Sequence, residues 1–303
     1  MLREFSIDSR DMKSELTCYA FEPKGDIGAI LILVHGMQDH TMRFRELAEY
    51  LESEGILCAG VDLLGHGRSA KKKEDFGYFC EQDAATVVVR DVHRLKKTVQ
   101  AEHQGVPVYI MGHSMGSFIV RNYMTRYGTG IAGAILEGGN DTPPVESAAG
   151  KFMSRSLAAV YGWHHRSRFM NNAIVGKYKK AFPGEDDWLS TRKETIEDYK
   201  NDPLTQFVFT LNGFYTLSEF TRRAGDTKLM ENIPRDLPIL IASGEEDPVG
   251  EMGRGVRRMY ELYRSRGFTD VKLDLRPGDR HELHNETDRY KFYEEIKDFI
   301  IKG

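Results

Sequence analysis

The stretch VYIMGHSMGSFIVRNYM, Val108 to Met124, sets a serine between two glycines where one pattern gives way to another. Val108 to Met111 form the end of a β-branched and aromatic run, and Ser117 to Met124 follow a helical spacing. Gly112-His113-Ser114-Met115-Gly116 fits G-x-S-x-G in the context that gives this motif its meaning, a strand before it and a helix after. A strand-to-helix turn this tight forces the serine into a strained backbone conformation with its hydroxyl held outward. Side chains at positions 112 and 116 would collide with the neighbouring strand and helix, so glycine is required there. Ser114 is thus the candidate nucleophile, and Gly112 and Gly116 shape its turn.

A serine hydroxyl needs a base, and the base needs an orienting acid. On a sheet of this kind the acid and then the histidine follow the serine along the chain, each on a loop after a later strand. After the apolar run LPILIASG, Leu237 to Gly244, comes EEDPVG, in which Asp247 is the expected acid. Glu245 and Glu246 are expected to be solvated loop charges, though either could take the acid's place. After VKLDLRPG, Val271 to Gly278, comes DRHELHNE, where His281 is the expected base and His284 the expected start of a terminal helix. The spacing H-E-x-H is one residue short of the helical zinc motif, so no metal is expected. His164 and His165 have no partner at ligand spacing and read as surface. Two backbone amides are expected to receive the negative oxygen of a tetrahedral intermediate: that of Met115, just after the nucleophile, and that of Met37, in the loop HGMQDH.

Extended runs alternate with helical ones along most of the chain. Apolar strands are expected at Ala29 to His35, Ile56 to Leu63, Pro107 to Gly112, Ile131 to Gly138, Leu237 to Gly244 and Val271 to Gly278. Their continuous hydrophobicity suits a parallel sheet covered on both faces, an α/β doubly wound architecture. SELTCYAFEP alternates and is expected to be a half-exposed antiparallel edge strand. Between about Asn140 and Pro234 the rhythm lapses into a helix-leaning, aromatic-rich segment holding both tryptophans. The expected organisation is a core of residues 1–139 and 235–303, with 140–234 inserted as a helical cap over the carboxyl ends of the strands. Trp163 and Phe214 are expected at the substrate pocket.

Composition excludes other classes. With 303 residues and 40% hydrophobic content the chain can bury a large core. A net charge of −4 and a pI near 6.2 give no support to nucleic-acid binding. Cys18, Cys58 and Cys80 lie far apart without a C-x-x-C, which suggests a reducing compartment. The N-terminal residues lack the apolar core of a signal peptide, no segment suits a membrane span, and a cytoplasmic protein is expected.

VHGMQDHTMRF, VDLLGHGRS, GHSMGS, SGEEDPVG and GDRHELHNE, in this order from Leu31 to Glu286, together resemble the motif series of the monoacylglycerol lipase and lysophospholipase group of α/β-hydrolases, also called serine aminopeptidase-like hydrolases. The resemblance implies an α/β-hydrolase fold, Ser114, Asp247 and His281 as the triad, and ester cleavage through an acyl-enzyme without metal or organic cofactor. It implies a structural turn at Gly65 to Ser69. It implies a small-molecule ester or lipid as substrate, with monoglycerides, lysophospholipids, hydroxycinnamate esters and short acyl esters all in range. Two rivals stand beside it: a hydrolase-fold protein that binds a ligand without catalysis, and a peptidase using Glu137, Asp141 or Glu146 to hold a substrate amine.

Overall fold

The apolar runs become the interior strands of one sheet in the computed structural model, which describes residues 1–182 and 187–302. Among these residues eight strands pair: β1 Leu2–Asp8, β2 Glu15–Phe21, β3 Ala29–Val34, β4 Ile56–Val61, β5 Val108–His113, β6 Gly133–Glu137, β7 Ile239–Gly244 and β8 Val271–Arg276. Their spatial order is β1-β2-β4-β3-β5-β6-β7-β8. β1 and β2 run antiparallel to their neighbours, and the remaining pairs are parallel. Every residue of β3, β4, β5, β6 and β7 is buried.

Side chains alternate between two cores, as the period of two requires. Ile30, Ile32 and Val34 face one, Leu31 and Leu33 the other. The first core is closed by α2 Ala84–Glu102, α3 Met115–Tyr127 and α10 Arg254–Ser265, through residues such as Val88, Val92, Ile119, Tyr123, Met259 and Tyr263. The second is closed by α1 Arg45–Ser53 and α11 Arg289–Lys302, through Leu47, Leu51, Phe292, Tyr293 and Ile296. Burying each such side chain stabilises the fold by about 1.5–3 kcal/mol before the loss of chain entropy is counted.

The expected edge strand lies elsewhere. β2 is covered on both sides, and the outer edge is β1, which pairs with it from Leu2↔Phe21 to Asp8↔Glu15. β1 buries only Ile7 fully and keeps charges at the rim. Arg3 there pairs with Glu22 and Glu102, both at 2.6 Å, and an edge so charged resists pairing with another chain.

Between β6 and β7 the chain leaves the sheet and forms α4 Pro144–Tyr161, α5 Arg168–Ile174, α6 Gly176–Lys179, α7 Lys193–Asn201, α8 Leu211–Ala224 and α9 Thr227–Met230. Positions 183–186 of this segment lie outside the described residues. α8 is rooted in the first core through Phe214 and Phe220. Arg121 of α3 ties both ends of the excursion, donating to Asn140 O and Ala224 O at 2.8 Å each. Because β3 and β5–β8 are parallel, the loops that follow them emerge on one side of the sheet, at the carboxyl ends where open α/β sheets bind ligands.

Candidate active site

Ser114 occupies the junction of β5 and α3 with φ 53° and ψ −118°, a conformation that L-residues adopt only under constraint. The constraint is local packing. A Cβ on Gly112 would lie 2.2 Å from Gly116 O, and one on Gly116 would lie 2.0 Å from Val34 O. The strand, the turn and the helix therefore meet where no side chain fits. Ser114 N donates to Glu137 O at 2.9 Å, and Ser117 Oγ donates to Ser114 O at 2.6 Å, fixing the turn from both sides.

Asp247 and His281 meet although 34 residues separate them. His281 Nδ1 donates to Asp247 Oδ2 at 3.0 Å, with both side chains buried. Asp247 in turn accepts from Ser243 Oγ at 3.0 Å and from Val249 N at 2.8 Å, so the carboxylate cannot swing away. In the neutral imidazole a proton held at Nδ1 by this bond leaves Nε2 free to accept one. Among the described residues Ser114 Oγ makes no hydrogen bond; it and His281 line one cavity, and such contacts commonly tighten only when substrate binds. Glu245 and Glu246 pair with Arg257 and Arg280, at 3.3 and 3.8 Å.

The loop after β3 is held by Asp39, which accepts from Gly36 N at 3.2 Å and His40 N at 2.8 Å. Burial pushes the Asp39 carboxyl up, but Arg43, at 2.9 Å, and nearby histidines hold it well below the usual carboxylate range. Arg43 also pairs with Glu282, joining this loop to the one carrying His281. Among the described residues the amides of Met37 and Met115 have no hydrogen-bond acceptor, and both residues line the cavity with Ser114. Met115 opens α3, whose dipole also favours negative charge there. His35 is structural: Nδ1–H donates to Gly36 O at 2.9 Å and Nε2 accepts from Leu63 N at 3.0 Å. Asp62 likewise holds backbone, accepting from Thr41 N and Arg68 N.

The cavity has a volume of about 330 Å³, within the range of small-ligand sites. Phe118, Met153, Met170, Ile174 and Leu217 give it an apolar wall, and Trp188 packs against His281 with ring centroids 5.1 Å apart. The two aromatics expected there are elsewhere. Phe214 is wholly buried against Phe209 on the core side of α8. Trp163 is 39% exposed and packs on Tyr215 beside a separate polar cleft. Trp188 and Tyr178, which were not singled out from the sequence, stand at the site instead.

His284 also differs from expectation. It sits in a single 3-10 turn, Leu283–Asn285, and is buried against Glu137. Its Nδ1 lies 2.8 and 2.9 Å from the two carboxylate oxygens, and its backbone N donates to Oε1 at 3.0 Å. Burial pushes the Glu137 carboxyl up, yet the charges of His284 and His113 bring it well below its ordinary value; burial likewise lowers the His284 imidazole, and Glu137 more than restores it. Among the described residues His113, Glu137 and His284 form a buried set whose donor atoms lie within 4.8 Å of one another. A metal held there would have to displace the proton shared by Glu137 and His284.

The family model described as serine aminopeptidase, S33, matches residues 25–288. A protein of Mycolicibacterium smegmatis named monoacylglycerol lipase is 26% identical over 92% of this chain and 90% of its own length. The monoglyceride lipase of Rattus norvegicus is 27% identical over 89% of this chain and 81% of its own. Among solved structures, a thermostable carboxyl esterase from Bacillus coagulans superposes with a TM-score of 0.89 at 25% identity, covering 99% of each chain.

Proposed function

The chain belongs to the serine aminopeptidase S33 family and has the α/β-hydrolase fold, and on that premise we propose that it cleaves monoacylglycerols and lysophospholipids through an acyl-enzyme on Ser114. It is a carboxylic ester hydrolase. In our reading His281 Nε2 takes the proton of Ser114 Oγ as that oxygen attacks the ester carbonyl carbon. Asp247 keeps the ring in the required tautomer and stabilises the imidazolium that forms. The oxygen that becomes negative lies against the amides of Met37 and Met115, an interaction typically contributing about 3–4 kcal/mol. His281 then protonates the departing alcohol; a water deprotonated by the same nitrogen attacks the acyl carbon, and as the bond to Ser114 Oγ breaks and the acid leaves, His281 returns that proton to Oγ. Each proton and charge in this sequence is carried by a named residue, so we assign no cofactor.

The observation that carries the substrate class is the apolar wall beside Ser114, provided by Phe118 of α3 and by Met153, Met170, Ile174 and Leu217 of α4, α5 and α8. An acyl chain gains about 0.8 kcal/mol for each methylene it buries against such a surface. We read residues 140–234 as the cap that sets this preference, over a core of 1–139 and 235–303. We place the protein in the cytoplasm; its three cysteines are free and buried, and among the described residues no helix is long and apolar enough to cross a membrane. A peptidase role for Glu137 is not part of this reading, because its carboxylate is buried and committed to His284.

The test is a panel of p-nitrophenyl esters of graded chain length, run beside monoacylglycerol, lysophosphatidylcholine and methyl ferulate. We expect kcat/KM to rise with chain length and monoacylglycerol or lysophosphatidylcholine to be the best natural ester. A preference for acetate or ferulate would replace the lipid reading with the short-chain or aryl one. Turnover of none of them would favour a ligand-binding protein.

A further inference from the structure

An acid at the end of a fully buried apolar strand is costly unless its charge is met. Glu137 closes β6, has no exposed surface, and is not among the residues lining the cavity. It therefore cannot touch a substrate in that cavity. Its connections run instead to the two loops that carry the nucleophile and the base. Through its main chain it lies beside His113 in the β5–β6 ladder and accepts the Ser114 amide at 2.9 Å. Through its side chain it holds both the backbone N and the ring Nδ1 of His284, three residues beyond His281.

The space between is filled without slack. Gly138, the next residue, has φ +60°, and a Cβ there would lie 3.0 Å from His281 O and 3.1 Å from His281 Nδ1. The ring of His113 is 4.7 Å from that of His281 and 4.9 Å from that of His284. Tyr293 Oη closes the far side by donating to His284 O at 2.7 Å.

We propose that Glu137 is a positioning residue for the ester hydrolysis: its main chain holds Ser114, its carboxylate holds the His281 loop through His284, and one residue thereby sets the distance between nucleophile and base. The proposal rests on the roles given above to Ser114 and His281. A misplacement of about 1 Å at reacting groups can cost about a hundredfold in rate, so a clamp of this kind acts on kcat and leaves ground-state binding alone.

Two conservative variants separate position from charge. Glu137→Gln loses the charge and keeps the reach: its Oε1 can accept both His284 donors, while its amide takes the place of the carboxylate oxygen that now lies 3.4 Å from His113 Nδ1. Glu137→Asp keeps the charge and withdraws the carboxylate by one C–C bond, about 1.5 Å. Rates are taken per site reactive with a fluorophosphonate, so a misfolded fraction does not enter. We expect Gln within about threefold of wild type, and Asp with kcat at least about tenfold lower at a KM within twofold. Equal rates for Asp and wild type, or Gln slower than Asp, would overturn the proposal. If Asp does not fold, His284→Ala, which removes the ring contact and keeps the backbone one, is expected to lower kcat at unchanged KM; wild-type kcat there would overturn it as well. Failure of wild type to label at Ser114 would instead strike the serine-hydrolase reading on which the proposal stands.

Discussion

Replacing Ser114 by alanine and by glycine separates backbone strain from chemistry. Both variants remove the hydroxyl and should abolish ester turnover. Their stabilities should differ in an unusual direction. Elsewhere in a folded chain glycine is less stable than alanine by about 0.5–1 kcal/mol, because it has more freedom to lose. At φ 53° and ψ −118° alanine retains the strain of a side chain in a sparsely allowed region, of order 1–3 kcal/mol, and glycine does not. Subtracting the entropy from the strain leaves glycine ahead by about 1 kcal/mol, or about 2 °C in Tm for a chain of this length. Urea unfolding followed by the fluorescence of Trp163 and Trp188 measures the difference directly. A glycine variant less stable than the alanine variant by about 0.5 kcal/mol or more would refute the strained turn.

Other outcomes follow from the same geometry. Asp247→Asn should leave the fold intact and lower kcat by about 10⁴-fold, because the amide favours the wrong His281 tautomer; steady-state kinetics with a soluble ester decides it. The Glu137–His284 pair gives a stability signature in pH. Glu137, depressed in the fold, contributes stability that is complete above its ordinary 4.5 and is lost as pH falls; His284, raised, contributes stability that is complete below its ordinary 6.5 and is lost as pH rises through its folded value. The margin of wild type over Glu137→Gln should therefore be greatest between pH 4.5 and 6.5 and narrow on both sides, as urea unfolding across that range can show. Ala149, on the cavity side of α4, offers a probe of the acyl wall. Ala149→Phe should raise KM for long-chain esters by about tenfold or more and leave acetate turnover nearly unchanged, since a lost contact with two methylenes already amounts to about 1.6 kcal/mol.

The parallel sheet and the loops bearing Ser114, Asp247 and His281 were legible because each rests on a local pattern. A continuous apolar run marks a strand covered on both faces, and a Gly-Ser-Gly turn at its end has a steric reason independent of the rest of the chain. β1 was missed because an edge strand buries little: in LREFSID only Ile7 is fully covered, so the apolar signal is nearly absent. Trp163 and Phe214 were misplaced for a related reason. An aromatic side chain in a helical segment faces either the core or the ligand, and which one depends on how the helix is rotated against its neighbours. Phe214 turns toward Phe209 and Trp163 toward Tyr215, whereas Trp188, in a loop before α7, reaches His281. The pairing of Glu137 with His284 spans 147 residues and has no spacing signature at all. Only an unexplained acid ending an apolar strand hinted that a buried partner was required.

The central claim is that Ser114 is the activated nucleophile. Incubation with a fluorophosphonate probe, followed by digestion and mass mapping, tests it most directly. A single phosphonate adduct on the peptide containing Ser114, formed in folded protein and absent from Ser114→Ala, is the predicted result. No adduct at Ser114, or esterase activity persisting in Ser114→Ala, would contradict the account.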